Sequence, residues 1–120
     1  MSYNSGGVSE VDVPELLDRV GGDADLLREI TTIFLEEYPQ LLEDVRSAVA
    51  HCDDHLLERS AHSLKGSVSN FGAESATAAA YSLEKMGRQK NAASAAAHLQ
   101  KLEAELSSLL PGLQALLSKI

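Results

Sequence analysis

The fold of this chain is decided by residues 55–71, which read HLLERSAHSLKGSVSNF. At about 100° per residue, the large apolar side chains of this stretch share one broad arc of a helix, whereas His62 points to the opposite side. Lys65 and Gly66 follow on that outer face, one turn after the imidazole. The pattern predicts an amphipathic helix that buries its leucines and presents His62 to solvent.

Gly66 is the least expected residue of this helix. A glycine in a helix interior costs roughly 0.5–1 kcal/mol relative to alanine, and this one is at i+4 from His62 on the same face. Without a side chain there, another backbone can come close. Lys65, at i+3, is placed to meet negative charge that forms on the imidazole. These residue types suit a histidine that receives a phosphoryl group from a docked partner.

The chain before this helix predicts two further helices. A short helix is expected over residues 14–20, ended by the glycines at 21–22. Asp23 is a candidate N-cap for a long helix, which Pro39 should kink but not end, because the apolar stripe resumes after it. The Cys52-Asp53-Asp54 sequence predicts a turn and an N-cap for the His62 helix.

The chain after it predicts two more helices. Gly72 is a natural C′ residue, residues 73–89 are an Ala-rich helix, and Asn91 is expected to cap the last helix, with the alanine-rich run at 92–97 as a good helix former. Pro111-Gly112 is a candidate break before a short continuation at 113–120. The predicted fold is all-α: an antiparallel up-and-down four-helix bundle, with the short extra N-terminal helix as a lid at one end.

Composition limits the classes of function. A chain of 120 residues is one domain by size, which we divide into a disordered tail or linker at 1–10 and a helical bundle domain at 11–120. The net charge of −8 disfavours nucleic acid and anionic membrane surfaces. There is no apolar run near the ~20 residues of a membrane span. The single Cys52 allows no internal disulfide, so a cytoplasmic location is expected.

The segments HSLKGS (residues 62–67), FGA (71–73) and LE (83–84) resemble the histidine-containing phosphotransfer (HPt) domain of multistep two-component phosphorelays. The resemblance extends over residues 11–117. It implies that His62 is the phosphoacceptor and that Lys65 stabilises the phosphoryl group. It also implies a monomer whose partners are response-regulator receiver domains, those of a hybrid sensor kinase and of a downstream regulator. The receiver would supply phospho-aspartate and Mg²⁺, since the chain has no phosphate loop or metal carboxylates and is expected to bind no cofactor itself.

A polar rim around His62 would contact the receiver. The expected receiver-binding residues are Gly66, His55, Arg59, Ser69, Glu84 and Arg88. Glu84 matches the glutamate of the family's Leu-Glu pair, and we expect it near Lys65. Some relatives carry an amide near this position that orients the imidazole. A carboxylate could accept the ring N–H, but its charge would disfavour added phosphate. The alternative to a role in receiver binding is a solvent-exposed i,i+4 ion pair for Glu84 and Arg88. For Arg59 the alternative is a surface ion pair with a neighbouring residue.

Three other functions are compatible with parts of the sequence. The acidic helices could form a non-phosphorylated adaptor that binds a partner protein through the same face. That function would not explain why Lys65 and Gly66 follow His62. An enzyme with His62 as general base lacks a second catalytic group at useful spacing. A metal site at His51, Cys52 and His55 lacks the second cluster that would complete a zinc set, so no metal is predicted.

Overall fold

The computed structural model describes residues 11–120, which are helical almost throughout. In chain order the helices are α1 (Val13–Arg19), α2 (Ala24–Ala50), α3 (Asp54–Ser69), α4 (Glu74–Arg88) and α5 (Ala96–Lys119), with a short 3₁₀ helix (Ala92–Ser94) before α5. No strand is present within these residues. The all-α prediction is confirmed. The predicted tail at 1–10 lies outside the described residues.

Aspartate side chains start the first three helices. The carboxylates of Asp12, Asp23 and Asp53 each accept a hydrogen bond from the backbone N–H three residues later, at 3.0–3.1 Å. Each therefore satisfies one N–H that the first helical turn leaves without an intrahelical partner. Asp23 is the cap predicted from the sequence, and Asp53 belongs to the turn that was predicted to supply one.

The long helices run antiparallel. Between α3 and α4, Glu58 pairs with Arg88 near one end and His62 pairs with Glu84 further along. Residue numbers therefore increase along α3 in the direction in which they decrease along α4, so these two helices are antiparallel. The grooves between α2 and α3 show the same reversal, because residues 41 and 44 lie beside 55–63 and residues 30–37 lie beside 67 and 70. Helix α5 packs against both α2 and α4. Helices α2 to α5 therefore form the predicted up-and-down bundle.

Leucine and alanine side chains fill the centre of the bundle. The largest fully buried side chains are Leu16, Leu27, Leu57, Leu64, Leu83, Leu102, Leu106, Leu109, Leu113, Leu116, Val45 and Val68. They come from all five helices, so one core holds the described residues together. Within residues 11–120, no helix is both long and apolar enough to cross a membrane.

The short helix α1 lies at the end of the bundle where α3 turns into α4. Its Leu16 is buried in the core. A β-carbon added at Gly72, in the α3–α4 turn, would be 3.1 Å from Glu15 Oε1 and 3.4 Å from an Arg19 guanidinium nitrogen. This is the position expected of a lid. Gly72 has a φ of 65°, but it lies beyond the C-cap Asn70 rather than at C′, so the prediction was displaced by one residue.

Both internal prolines are accommodated within continuous helices. Helix α2 continues through Pro39, as expected, and α5 continues through Pro111 to Lys119. The candidate break at Pro111-Gly112 was therefore wrong. The reason is tertiary, because Leu109, Leu113 and Leu116 stay on one buried stripe across the proline, and this packing outweighs the missing hydrogen bond.

The start of the last helix also differs from the prediction. Asn91 makes no side-chain capping bond, and α5 begins only at Ala96. The backbone N–H of Ala92 instead donates to Asp54 Oδ1 of α3, at 2.9 Å, while Ala92 and Ala95 are buried. A side chain from another helix therefore holds this alanine-rich segment as a 3₁₀ turn, against its intrinsic helix propensity.

Candidate functional site

His62 lies on the outer face of α3, as the periodicity predicted. Its side chain is 64% exposed. The opposite face of the same helix carries Leu57, Ala61, Leu64 and Val68, all fully buried. The packing of α3 against its neighbours thus fixes the backbone below the imidazole, while the ring itself stays accessible to a partner.

A single buried carboxylate joins the central residues of this face. Glu84, on α4, has a side chain only 5% exposed, and its Oε2 lies 3.1 Å from His62 Nδ1 and 2.8 Å from Arg88 Nη2. Its Oε1 lies 2.8 Å from Lys65 Nζ. This short contact places the Lys65 ammonium directly on the buried carboxylate. Three residues expected at the site therefore converge on Glu84.

The alternative of a solvated Glu84 was wrong, because the carboxylate is buried. Its i,i+4 pair with Arg88 does form. Arg88 also donates from Nε to Glu58 Oε2, at 3.2 Å, and this hydrogen bond is the main cause that raises the Arg88 pKa. Arg59 is exposed and makes no ion pair with another residue of 11–120. The alternative of a surface ion pair therefore does not explain the presence of an arginine at this position.

The hydrogen bond to Glu84 determines which ring nitrogen of His62 is available. An ionised carboxylate only accepts hydrogen bonds, so in the neutral ring the proton is on Nδ1 and donates to Oε2; this tautomer follows from the bonding partners. Nε2 then keeps its lone pair. No residue within 11–120 hydrogen-bonds Nε2. The site therefore presents one free nitrogen lone pair on an exposed ring.

Opposing effects set the ionisation of Glu84. Burial raises the pKa of its carboxyl, but hydrogen bonding and charge from Lys65 and His62 lower it by more, so the net pKa lies below the ordinary glutamate value. The carboxylate consequently remains ionised well into mildly acidic solution. It is thus a permanent negative charge beside the imidazole at neutral pH.

This ionisation predicts a pH-dependent contribution to stability. Because the folded-state pKa is lowered, the unfolded chain binds more protons at Glu84, and the stabilisation is complete above the unfolded value of about 4.3. It is lost as the pH falls through the folded value. We expect Glu84→Gln to show a smaller drop in unfolding free energy between pH 6 and pH 3 than the wild type does, as measured by urea titrations. Equal drops in both proteins would contradict this role. Glu103→Gln, at a more exposed ion pair with Arg46, is the control.

Two grooves flank the imidazole. The first, of about 730 Å³, lies among α2, α3 and α4, and its lining includes His55, Arg59, His62 and Arg88. The second, of about 600 Å³, lies toward α1 and α4 and is lined in part by Arg19, Lys65, Ser69 and Tyr81. The expected rim residues are therefore divided between two sides of His62.

Gly66 and Ser69 lie on the exposed surface of α3 next to these grooves. A β-carbon added at Gly66 would meet nothing within 4 Å, so the internal packing of this chain does not require a glycine there. The Ser69 hydroxyl donates to the Gly66 carbonyl at 2.8 Å, and it is thus already engaged in the last turn of α3.

Sequence reasoning gave three residues no role at this site, although it placed Glu58 on the outer face of α3. Tyr81 is exposed on α4, with its ring centroid 5.0 Å from Lys65 Nζ, and Glu58 anchors Arg88. At Gly87 the backbones of α3 and α4 come close together, because an added β-carbon would lie 2.5 Å from Glu58 N and 2.7 Å from the Asp54 carbonyl oxygen. The sequence did contain a signal for Gly87, because a glycine inside a predicted helix lowers helix stability and usually indicates a close contact or a function.

The structure gives no support for a metal site at His51, Cys52 and His55. Within residues 11–120, no group of three or more His, Cys, Asp and Glu side chains is arranged to hold a metal ion. His51 Nδ1 lies 2.9 Å from the Ser47 carbonyl oxygen in its own helix.

Comparison with protein families gives the context for this site. A family model described as Hpt domain matches residues 29–112. The chain is a member of the Hpt domain family. The match includes the whole His62–Glu84 cluster and confirms the resemblance seen in the sequence, whereas α1 precedes it. Hpt domains take part in histidine phosphotransfer in two-component systems and interact with receiver domains. No curated protein and no solved structure matched this Hpt domain.

Proposed function

We propose that this Hpt domain carries a phosphoryl group on His62, accepting it from a receiver phospho-aspartate and passing it to the aspartate of another receiver. The observation that supports this is the exposed imidazole whose Nδ1 is held by a buried carboxylate. A ring fixed at one nitrogen presents the other in a constant direction, and such positioning is a large part of catalysis in phosphoryl transfer. The donor and acceptor would be receivers of a hybrid sensor kinase and of a downstream regulator.

The transfer forms a bond between His62 Nε2 and phosphorus and breaks the bond between phosphorus and the aspartyl oxygen, which leaves as a carboxylate. Mg²⁺ is supplied by the receiver. Attack by a ring that already carries a proton on Nδ1 makes the imidazole cationic. The Glu84 carboxylate, 3.1 Å from Nδ1, stabilises that developing positive charge. A carboxylate is therefore useful here, although it repels phosphate.

Two cations balance the negative charge of Glu84. Lys65 and Arg88 both contact its carboxylate at 2.8 Å, and neither is fully buried. Glu58 also pairs with Arg88, so within residues 11–120 the two cations and the two carboxylates of this cluster are equal in number, and Lys65 is the cation whose ion pair is with Glu84 alone. A phosphoryl group that arrives with negative charge spread over its oxygens would meet the ammonium of Lys65.

Lys65→Ala is expected to slow transfer by about 10- to 100-fold, because it removes a cation near the oxygens of the transition state. Receiver affinity should change less than the rate, since the ammonium acts mainly where charge develops. Rapid-quench measurement of transfer at saturating phosphorylated receiver gives the rate, and calorimetry gives the affinity. Lys101→Ala removes an exposed lysine of α5 and serves as the control. An unchanged rate in Lys65→Ala would remove this residue from the mechanism.

Gly66→Gln is expected to weaken receiver binding at least tenfold without loss of stability. An added β-carbon meets nothing within 4 Å, but the glutamine side chain would occupy the surface one turn from His62 that the receiver backbone must approach. Calorimetric titration with an unphosphorylated receiver measures the affinity, with Gly66→Ala as the smaller replacement. If Gly66→Gln bound the receiver as tightly as wild type, Gly66 would not be part of the docking surface.

The proposal as a whole is tested by incubating the purified domain with a phosphorylated receiver and Mg²⁺. We expect phosphate that is labile in acid and stable in base, as a phosphoramidate is, with transfer onward when a second receiver is added. ³¹P spectra of the isolated product would place the group on the ring nitrogen. No incorporation from a panel of phosphorylated receivers would favour the adaptor function.

A further inference from the structure

Tyr81 is an exposed aromatic residue at the edge of the site. Its side chain projects from α4, one turn before Lys85 and three residues before Glu84, and the residue is 42% exposed. Lys65 Nζ lies 5.0 Å from the ring centroid and Lys85 Nζ lies 4.8 Å from it. Both distances are within the range of cation–π attraction. Neither the sequence motif nor the mechanism above assigns a role to this ring.

Lys65 needs more than one contact to be held in place. Its ammonium ends a flexible four-carbon stem, and within residues 11–120 its ion pair is with Glu84 Oε1 alone, at 2.8 Å. One contact at the tip of the side chain leaves several rotamers of the stem accessible. The face of the Tyr81 ring supplies a second attraction at 5.0 Å, so two side chains of α4 hold the ammonium.

Lys85 does not provide the same restraint. It is exposed and forms no ion pair within residues 11–120, and its contact with the ring is a local i,i+4 contact on α4. Lys65 reaches the ring from a different helix. The ring therefore bridges α4 to the functional face of α3, whereas Lys85 covers it from its own helix.

We infer that Tyr81 is a positioning residue that holds the Lys65 ammonium beside Glu84 for phosphoryl transfer. The inference rests on the proposed function, in which Lys65 stabilises the transferring group. A Lys65 already held near His62 loses less side-chain freedom when the phosphoryl group arrives. The ring acts through its π face, and the hydroxyl is not needed.

The test compares Tyr81→Leu with Tyr81→Phe. Leucine keeps an apolar side chain of moderate size without a π face, whereas phenylalanine keeps the face. Tyr81→Leu should lower the transfer rate at saturating phosphorylated receiver about two- to fivefold, the equivalent of one cation–π contact, with unchanged receiver affinity. Tyr81→Phe should transfer like wild type. Lys85→Ala, which leaves the ring in place, should also keep the wild-type rate at saturation.

A second measurement needs no phosphate. In proton spectra, the ε-methylene protons of Lys65 should show an upfield ring-current shift in wild type and Tyr81→Phe, and this shift should be absent in Tyr81→Leu. Unchanged transfer in Tyr81→Leu, or an equal loss in Tyr81→Phe, would overturn the positioning role. If the wild type accepted no phosphate at all, the proposed function would fail instead, and the spectra would still decide whether Tyr81 holds Lys65.

Discussion

His62→Gln is expected to abolish phosphate incorporation from a phosphorylated receiver while the bundle stays folded. The variant removes the only nucleophilic nitrogen that the proposed mechanism uses, so the expected loss is complete rather than graded. The fold should be retained because the side chain is largely exposed and Glu84 keeps Lys65 and Arg88 as partners. The glutamine amide can also donate to Glu84 in place of Nδ1–H. Acid-labile phosphate and thermal unfolding would be measured on the same preparation.

His55→Gln is the matched control for this experiment. His55 is also an exposed histidine of α3 and lines the groove beside His62, but it makes no contact with Glu84. It should incorporate phosphate to the wild-type level, with any effect confined to receiver affinity. Full phosphorylation of His62→Gln would move the acceptor to another residue and overturn the assignment.

Gly87→Ala is expected to destabilise the domain by about 1–3 kcal/mol, the usual range for overpacking a tight interior. The added β-carbon would lie 2.5 Å from Glu58 N and 2.7 Å from the Asp54 carbonyl oxygen. Both are backbone atoms, so no side-chain rotation can relieve the overlap, and α3 and α4 would have to move apart. The better helix propensity of alanine returns at most about 1 kcal/mol of this loss. Urea unfolding monitored by circular dichroism gives the difference in free energy.

Gly66→Ala makes the same chemical change with the opposite expected sign. Gly66 also lies inside a helix, but its added β-carbon meets nothing within 4 Å. The variant should be more stable by up to about 0.5–1 kcal/mol, through helix propensity alone. If both variants changed stability in the same direction, the close approach at Gly87 would not be the reason for that glycine.

Features that depend on residues close in sequence were predicted correctly, whereas features that depend on contacts between helices were not. The exposure of His62 and the caps Asp23 and Asp53 were predictable, because periodicity and capping depend on residues within a few positions. The start of α5 was not, because the hydrogen bond that holds Ala92 comes from Asp54, 38 residues earlier. The candidate break at Pro111 failed for a similar reason, since burial of Leu113 and Leu116 depends on neighbouring helices.

The sequence by itself determined the helices, the bundle class and the motif that identified the family. It also indicated that His62, Lys65 and Gly66 share one outer face, because positions i, i+3 and i+4 are neighbours on a helix surface. Only the tertiary structure decided how that face works. Glu84 became a buried partner of His62 because α4 packs antiparallel on α3, with the close contact at Gly87. Contacts between helices depend on relative position and distance, which local periodicity does not encode.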